Sequence, residues 1–235
     1  RRTLRLLGTL MIVAGTGTLA WALLVWQWQD PFTAAYTHYE QRQLTQRFNR
    51  ELADFRPSRP VSRSLVAERR AVAADATRFR HTVKRGQAIG RIRIPRIGLN
   101  IIVVNGTDHD TLKRGPGRDL RTFVPGQGQL VYVAGHRTTY LAPFSHIDQL
   151  RKGDRITLEL PYATFEYAVT GHRIVVATNL AVLKSHGHEE LELQACHPRF
   201  FATHRYIVYA KPVRVTPRGG QPYAPGGTQI LAAAR

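Results

Sequence analysis

The chain reads as a mainly β protein: a closed or nearly closed β-barrel with short helices, preceded by an apolar helix and a helical stalk. Three observations carry this reading. From residue 89 onward, short alternating segments are punctuated by Gly, Pro and Asn. They supply about eight candidate strands in roughly 125 residues, the spacing of a barrel. Residues 6–29 carry no charge. Between the two lies a polar stretch whose large side chains recur at helical spacing.

The apolar segment comes first. The 21 residues from Leu6 to Trp26 span about 31 Å as a helix, matching a hydrocarbon core of roughly 30 Å. Arg1, Arg2 and Arg5 precede it and belong on the cytoplasmic side, while Trp21, Trp26 and Trp28 cluster at the far end as an interfacial belt. A cleaved signal peptide has a shorter apolar region, about 7–15 residues, ending in a small-x-small site. Thr33-Ala34-Ala35 is a poor version of that site. The expected organisation is therefore a basic cytoplasmic end (1–5) and a single-pass signal anchor (6–28) in the cell membrane, with the rest of the chain outside. The sequence does not start with methionine, and Met11 lies inside the apolar run. The true N-terminus is expected upstream.

Residues 29–88 read as an extracytoplasmic helical stalk and linker. Tyr36, Tyr39, Leu44, Phe48, Leu52 and Phe55 recur at three- to five-residue spacing, and Arg56-Pro57-Ser58-Arg59-Pro60 then breaks any helix. A second helix, alanine-rich and basic, is expected near 64–80. Residues 56–96 hold 12 Lys/Arg and two acids within a chain of net charge +18. Such a belt is either a solvated face or a surface resting on anionic headgroups or wall polymers. The expected topology argues against nucleic acid as the partner.

The folded domain is expected over 89–215. Its candidate strands are Ile89–Ile94, Leu99–Val104, Gln129–Ala134, Arg155–Leu160, Thr164–Thr170, His172–Ala177, Leu191–Ala195 and Tyr206–Val213. Arg155–Leu160 and Thr164–Thr170 flank Pro161-Tyr162-Ala163 and read as a hairpin. Short helices are expected near Asp108–Lys113 and Phe144–Leu150. The Pro/Gly-rich residues 216–235 read as a flexible tail.

The chemistry concentrates in Leu191–Arg205, which holds the only cysteine. A lone cysteine is usually a small buried hydrophobe. Cys196, however, falls where an alternating strand ends, and Arg205 opens the next apolar run. A thiol and a guanidinium thus share one barrel mouth, an arrangement suited to thiolate chemistry. An unpaired cysteine in an oxidising compartment is a reactive thiol or half of an intermolecular bridge. Amide cleavage by a thiolate also needs a proton donor for the leaving amine. His136 is best placed among ten histidines, at a strand end behind Gly135. His197 adjoins Cys196, but neighbouring strand side chains diverge. His186, His188, Cys196 and His197 match no established zinc spacing. No metal or organic cofactor is expected.

With these residues assembled, the chain resembles a sortase, most closely the class E housekeeping type of actinobacteria. Val133-Ala134-Gly135-His136-Arg137-Thr138-Thr139-Tyr140, followed by Ala142-Pro143-Phe144, resembles that group's histidine motif. Gly115-Pro116-Gly117 and Val124-Pro125-Gly126-Gln127 also fit. Leu193-Gln194-Ala195-Cys196-His197-Pro198-Arg199-Phe200, with Arg205 nine residues after the cysteine, resembles the cysteine and arginine motifs. The similarity covers roughly 89–215. Two departures stand out. The family usually has Thr-Leu-x-Thr-Cys, where this chain has Glu192 and Ala195, and Leu141 stands where the group often has glycine.

The resemblance implies an eight-stranded sortase barrel and a membrane-anchored cysteine transpeptidase. It implies His136, Cys196 and Arg205 as catalytic residues and Thr138, Tyr140 and Ala195 as substrate-binding residues. The implied substrates are secreted proteins with a C-terminal sorting signal, Leu-Ala-x-Thr-Gly in class E. The implied acceptor is a peptidoglycan precursor amine. Cys196 attacks the threonine carbonyl, Arg205 holds the substrate backbone, and His136 as imidazolium protonates the leaving glycine amine. Arg205 favours the thiolate and disfavours the imidazolium. Two alternatives stay open: a pilus-type sortase whose acceptor is a subunit lysine, and a silent surface peptide-binding protein.

Overall fold

The computed structural model describes residues 2–27, 31–58 and 64–225. Eight strands close into one barrel: β1 (Ala88–Ile94), β2 (Leu99–Asn105), β3 (Gly117–Arg118), β4 (Leu130–Ala134), β5 (Arg155–Glu159), β6 (Ala163–Val176), β7 (Glu190–His197) and β8 (His204–Pro217). The order around the barrel is β1-β2-β3-β4-β7-β8-β6-β5, and β5 pairs back onto β1. The β2–β3 and β4–β7 pairs are parallel and the others antiparallel. Alternation drives closure. Along β7, Leu191, Leu193 and Ala195 point into the interior core with Val131, Val133, Phe165 and Val208. Glu192, Gln194 and Cys196 occupy the other face.

Two strand expectations change in the structure. Thr164–Thr170 and His172–Ala177 are one strand, β6, paired to β8 along its whole length with a register shift between Val169 and Gly171. A glycine there marked a bulge rather than a turn. Strand β3 is too short to show periodicity. It is defined by Gly117, where a Cβ would collide with the Gly106 carbonyl oxygen, and by buried Arg118. The Arg118 guanidinium donates to Asn105 Oδ1 at 3.0 and 2.6 Å and to Thr122 O at 2.6 Å. Near Phe144–Leu150, only Ile147–Gln149 forms a 3-10 turn.

The helices are α1 (Arg2–Gln27), α2 (Pro31–Asp54), α3 (Leu65–Thr82) and the single turn α4 (His109–Leu112). Among the described residues, α1 is the one helix long and apolar enough to cross a membrane, and Arg2–Leu23 is unburied. The far end of the expected aromatic belt, Trp28, lies outside the described residues, and nothing is described of the Trp26 side chain.

The residues read as a stalk pack on the barrel. Leu44 and Phe48 of α2 are buried against Ala88, Ile102 and Val104. Gln41 Nε2 donates to Ile102 O at 3.0 Å, and Gln41 Oε1 accepts from Ile102 N at 2.8 Å. Helix α3 buries Val72, Ala76 and Phe79 in the barrel core. Ser64 caps α3 by accepting from Ala67 N at 3.2 Å. Leu44, Phe48 and Leu52 thus form a docking stripe, while Tyr36 and Tyr39 of the same spacing are exposed. The start of the tail also folds back: Tyr223 is buried and bridges Val215. The rest of the tail, 226–235, lies outside the described residues.

Candidate active site

Strand register assembles the site. β4 and β7 run parallel with Ala134 opposite Gln194, and Gly135 N donates to Gln194 O at 2.9 Å. Two further residues along both strands bring His136 level with Cys196. Across the next ladder, Cys196 pairs with Arg205 of β8. All three line one cleft of about 280 Å³. Its floor includes Tyr132, Ala134 and Gln194, one wall carries Leu180, Val182 and Leu183, and the other carries Thr107, Leu112, Asp119 and Arg121.

Gly135 is required by packing: a Cβ would sit 2.6 Å from Phe144 Cδ2. After His136 the chain passes through Tyr140, Leu141 and Ala142 at φ 53°, 62° and 39°, a left-handed run that non-glycine residues seldom adopt. The loop is held by Ala142 N donating to Thr139 O (2.8 Å) and Phe144 N donating to His136 O (3.1 Å). Tyr140 N donates to Thr33 Oγ1 of α2 at 3.1 Å. Leu141, noted for replacing a frequent glycine, is thus one of the strained positions.

The three side chains have different surroundings. His136 Nε2 is buried without a hydrogen-bond partner among the described residues, and its ring lies 5.1 Å from that of Tyr140. Burial, with a smaller contribution from His109, holds the imidazole below its ordinary pKa of 6.5. Cys196 is free and partly exposed. Arg205 Nη1 donates to Ala202 O (2.7 Å) and His204 O (2.9 Å), which fixes the guanidinium at the strand mouth.

Arg137 was missed by sequence reasoning. Its buried guanidinium donates to Cys196 O (3.3 Å), meets His197 Nδ1 at 3.1 Å and pairs with Asp148 at 2.8 Å. It ties the His136 loop to the end of β7. Adjacency to His136 was the only signal in the sequence. His197 is engaged with Arg137 and lies 6.1 Å from the Tyr206 ring, so it diverges from Cys196 as strand alternation requires.

Of the three residues implied to bind substrate, none lines the cleft. Thr138 is half-buried in the loop, Tyr140 packs on His136, and Ala195 is fully buried in the interior core. Glu192 sits below Gln194 on the cleft face of β7, opposite Tyr132 on β4 and Tyr209 on β8. It is 2% exposed, and its Oε2 has no partner among the described residues. Burial, reinforced by Glu190, pushes its carboxyl up to about 8, so it is mostly neutral at pH 7.

Comparison with known proteins bears on the family and the fold. The Sortase domain family model matches residues 92–213. Sortase D of Bacillus subtilis (strain 168) is 35% identical over 132 residues, 54% of this chain and 65% of that protein. The chain spans less than two thirds of the length of each curated relative it matches, between 44% and 65%. A sortase D5 transpeptidase of Clostridium perfringens shares the fold, with a TM-score of 0.61 over 74% of this chain and 99% of that one at 21% identity. Sortase E1 of Streptomyces coelicolor, solved with a tripeptide in its active site, gives a TM-score of 0.54 at 26% identity, covering 57% of this chain and 93% of that one.

Proposed function

The chain belongs to the sortase family, and from that premise we propose that it is a membrane-anchored cysteine transpeptidase that cleaves a C-terminal sorting signal and joins the severed protein to an amine. The observation that carries the reading is the meeting of His136, Cys196 and Arg205 from three elements around one cleft.

The Cys196 thiolate attacks the carbonyl carbon of the signal's threonine. Arg205, in the adjacent strand, offsets the charge that develops on the carbonyl oxygen. His136 as imidazolium delivers its proton to the departing glycine amine, the C–N bond breaks, and a thioester remains on Cys196. An incoming amine attacks that thioester and loses its proton to His136. The amide re-forms, and the thiolate–imidazolium pair is restored. Burial of His136 disfavours the imidazolium that the thiolate needs as its partner. A peptide closing the cleft shields the pair from water and strengthens its mutual attraction.

The finer reading follows the motif strings around His136 and Cys196, which favour the class E type. The substrate is a secreted protein with a Leu-Ala-x-Thr-Gly signal, and the acceptor is an amine of a peptidoglycan precursor. Helix α1 anchors the enzyme with Arg2 and Arg5 on the cytoplasmic side and the barrel outside. Tethering raises the effective concentration of other membrane-bound reactants.

The test uses the full chain in detergent with Leu-Ala-x-Thr-Gly and Leu-Pro-x-Thr-Gly peptides plus a small amine. Mass spectrometry is expected to show cleavage between Thr and Gly, an amine-ligated product and an acyl adduct on Cys196, all lost in Cys196→Ala. Folded, reduced protein that binds a peptide without cleaving it would instead establish a silent binder.

A further inference from the structure

Helix α2 fixes which end of the barrel lies nearest α1. At its start, Thr33 Oγ1 accepts from Tyr140 N in the His136 loop, and Thr37 Oγ1 donates to Lys113 O at 2.8 Å beside the cleft. At the other extreme, Phe55, just past its end, meets Tyr162 with ring centroids 6.3 Å apart, at the opposite end of the barrel. Its 24 residues run about 36 Å, from one barrel end to the other. From Gln27 to Pro31 the chain has four Cα–Cα steps, at most about 15 Å. The apolar helix therefore ends close to the cleft and far from the opposite barrel end.

The same end carries an apolar lip. The end of β6 and the β7–β8 loop are joined by Ala177 N donating to Thr203 O at 3.1 Å, and Val176 pairs with His204. On this lip Phe201 is 78% exposed, Phe200 54%, Val176 53% and Ile174 46%. The loop is tied internally. Ala202 N donates to Pro198 O at 3.2 Å, and Ala202 O accepts from Arg205. Its phenylalanines are thus held away from the barrel, with exposed Arg199 beside them. Single exposed apolar residues need no explanation. Four on one lip, at the end where the apolar helix terminates and next to a cation, match the composition of a membrane-surface contact.

We infer that the cleft end of the barrel rests on the bilayer, with Phe200 and Phe201 inserted among the lipid headgroups and the cleft opening along the membrane surface. This inference rests on the reading of α1 as a membrane anchor. It gives the β7–β8 loop a second role: besides bracing Arg205 through Ala202 O, it sets the height of Cys196 above the lipid. Reactants tethered to the membrane then reach the thiol without leaving the surface.

The test uses the full chain with Cys196→Ala, which removes the only cysteine, so that single new cysteines can carry an environment-sensitive fluorophore. The positions are Met11→Cys in α1, Arg199→Cys on the lip, and His188→Cys before β7 at the opposite barrel end. Each protein is reconstituted in phosphatidylcholine–phosphatidylglycerol vesicles containing lipids with a quencher at shallow or deep positions. The expected result is deep quenching at 11, shallow quenching at 199 and none at 188, with the lip about 5–10 Å into the headgroup and acyl boundary. Adding Phe200→Ser and Phe201→Ser should lower quenching at 199 and leave that at 11 intact. Quenching at 11 with none at 199 overturns the inference while leaving the anchor standing. Undiminished quenching at 199 in the serine variant removes the role of the phenylalanines. No quenching at 11 overturns the anchor reading itself.

Discussion

The closed end of the barrel and the cleft side treat two glutamates, Glu189 and Glu192, oppositely, though only three residues separate them in the chain. At the closed end, Glu189 accepts from Gly126 N (2.8 Å), Gly128 N (3.2 Å) and Tyr167 Oη (2.8 Å). At the same end the Tyr162 ring meets Phe79 at a tilt and Phe165 edge-on, and Tyr162 Oη donates to Pro125 O at 2.6 Å. On the cleft face of β7 Glu192 Oε2, and at the cleft mouth His136 Nε2 and Arg137 Nε, are buried without partners among the described residues. Three consecutive non-glycine residues hold positive φ there, and phenylalanines face outward. The closed end satisfies Glu189 and stabilises the fold, although Arg214 Nε, on β8 opposite Glu166, is also buried without a hydrogen-bond partner among the described residues. The cleft side keeps polar groups unsatisfied and ready for a ligand, at a cost that the closed end offsets.

The largest effects should separate the two ends completely. Cys196→Ala or His136→Ala should lower transpeptidation by at least about 10,000-fold, and Arg205→Lys by about 100-fold. None of these should shift the thermal midpoint appreciably. A large drop in stability with any of them would place that residue in the scaffold.

At the closed end the pattern should invert. Glu189→Ala strands two backbone donors and a tyrosine hydroxyl and should cost about 3 kcal/mol in denaturant unfolding, with kcat/KM little changed. Glu192→Gln should change stability by less than about 1 kcal/mol. Equal costs for the two would dissolve the comparison.

Arg137 joins the two regimes, since it is structurally bonded yet serves the site. Arg137→Ala should lower kcat about tenfold with KM nearly constant, through misalignment of His136 and Cys196. Arg137→Lys should recover part of the loss. A rise in KM alone would mean that Arg137 contacts substrate.

Protonation sharpens the contrast further. Glu192 has a folded pKa raised from 4.5 to about 8, so the native state holds more protons than the unfolded state between those values. Its contribution to stability is present below pH 4.5 and is lost as pH rises toward 8. His136 has the opposite sign. Its folded pKa is lowered from 6.5, so stability falls as pH drops below 6.5. Unfolding at stepped pH should show the first slope removed by Glu192→Gln and the second by His136→Asn. The smallest effect is His109→Gln, which removes a neighbouring imidazole that contributes to lowering the His136 pKa. It should raise activity at neutral pH by less than about twofold.

Period-2 patterning made most strands legible, because alternation survives in one dimension, and it put His136, Cys196 and Arg205 at strand ends as candidates for the site. The bulged length of β6 was not legible, since Gly171 reads equally as a turn. Strand β3 is defined by the partners of Arg118 and not by its own two residues. Arg137 looked like any arginine until Asp148 and the Cys196 carbonyl were placed beside it. Ala195 drew attention as the residue before the cysteine, yet its strand position turns it into the core.

The sequence by itself determined the apolar helix and the barrel class, which depend on local composition and period, and its motif strings named His136, Cys196 and Arg205 as candidates. Only the tertiary structure decided that α2 is docked along the barrel, that Glu189 is satisfied while Glu192 is not, and that the cleft opens at the end nearest α1. Those facts depend on register and on contacts between residues far apart in the chain, and the free energies of such contacts are set by what lies across the interface.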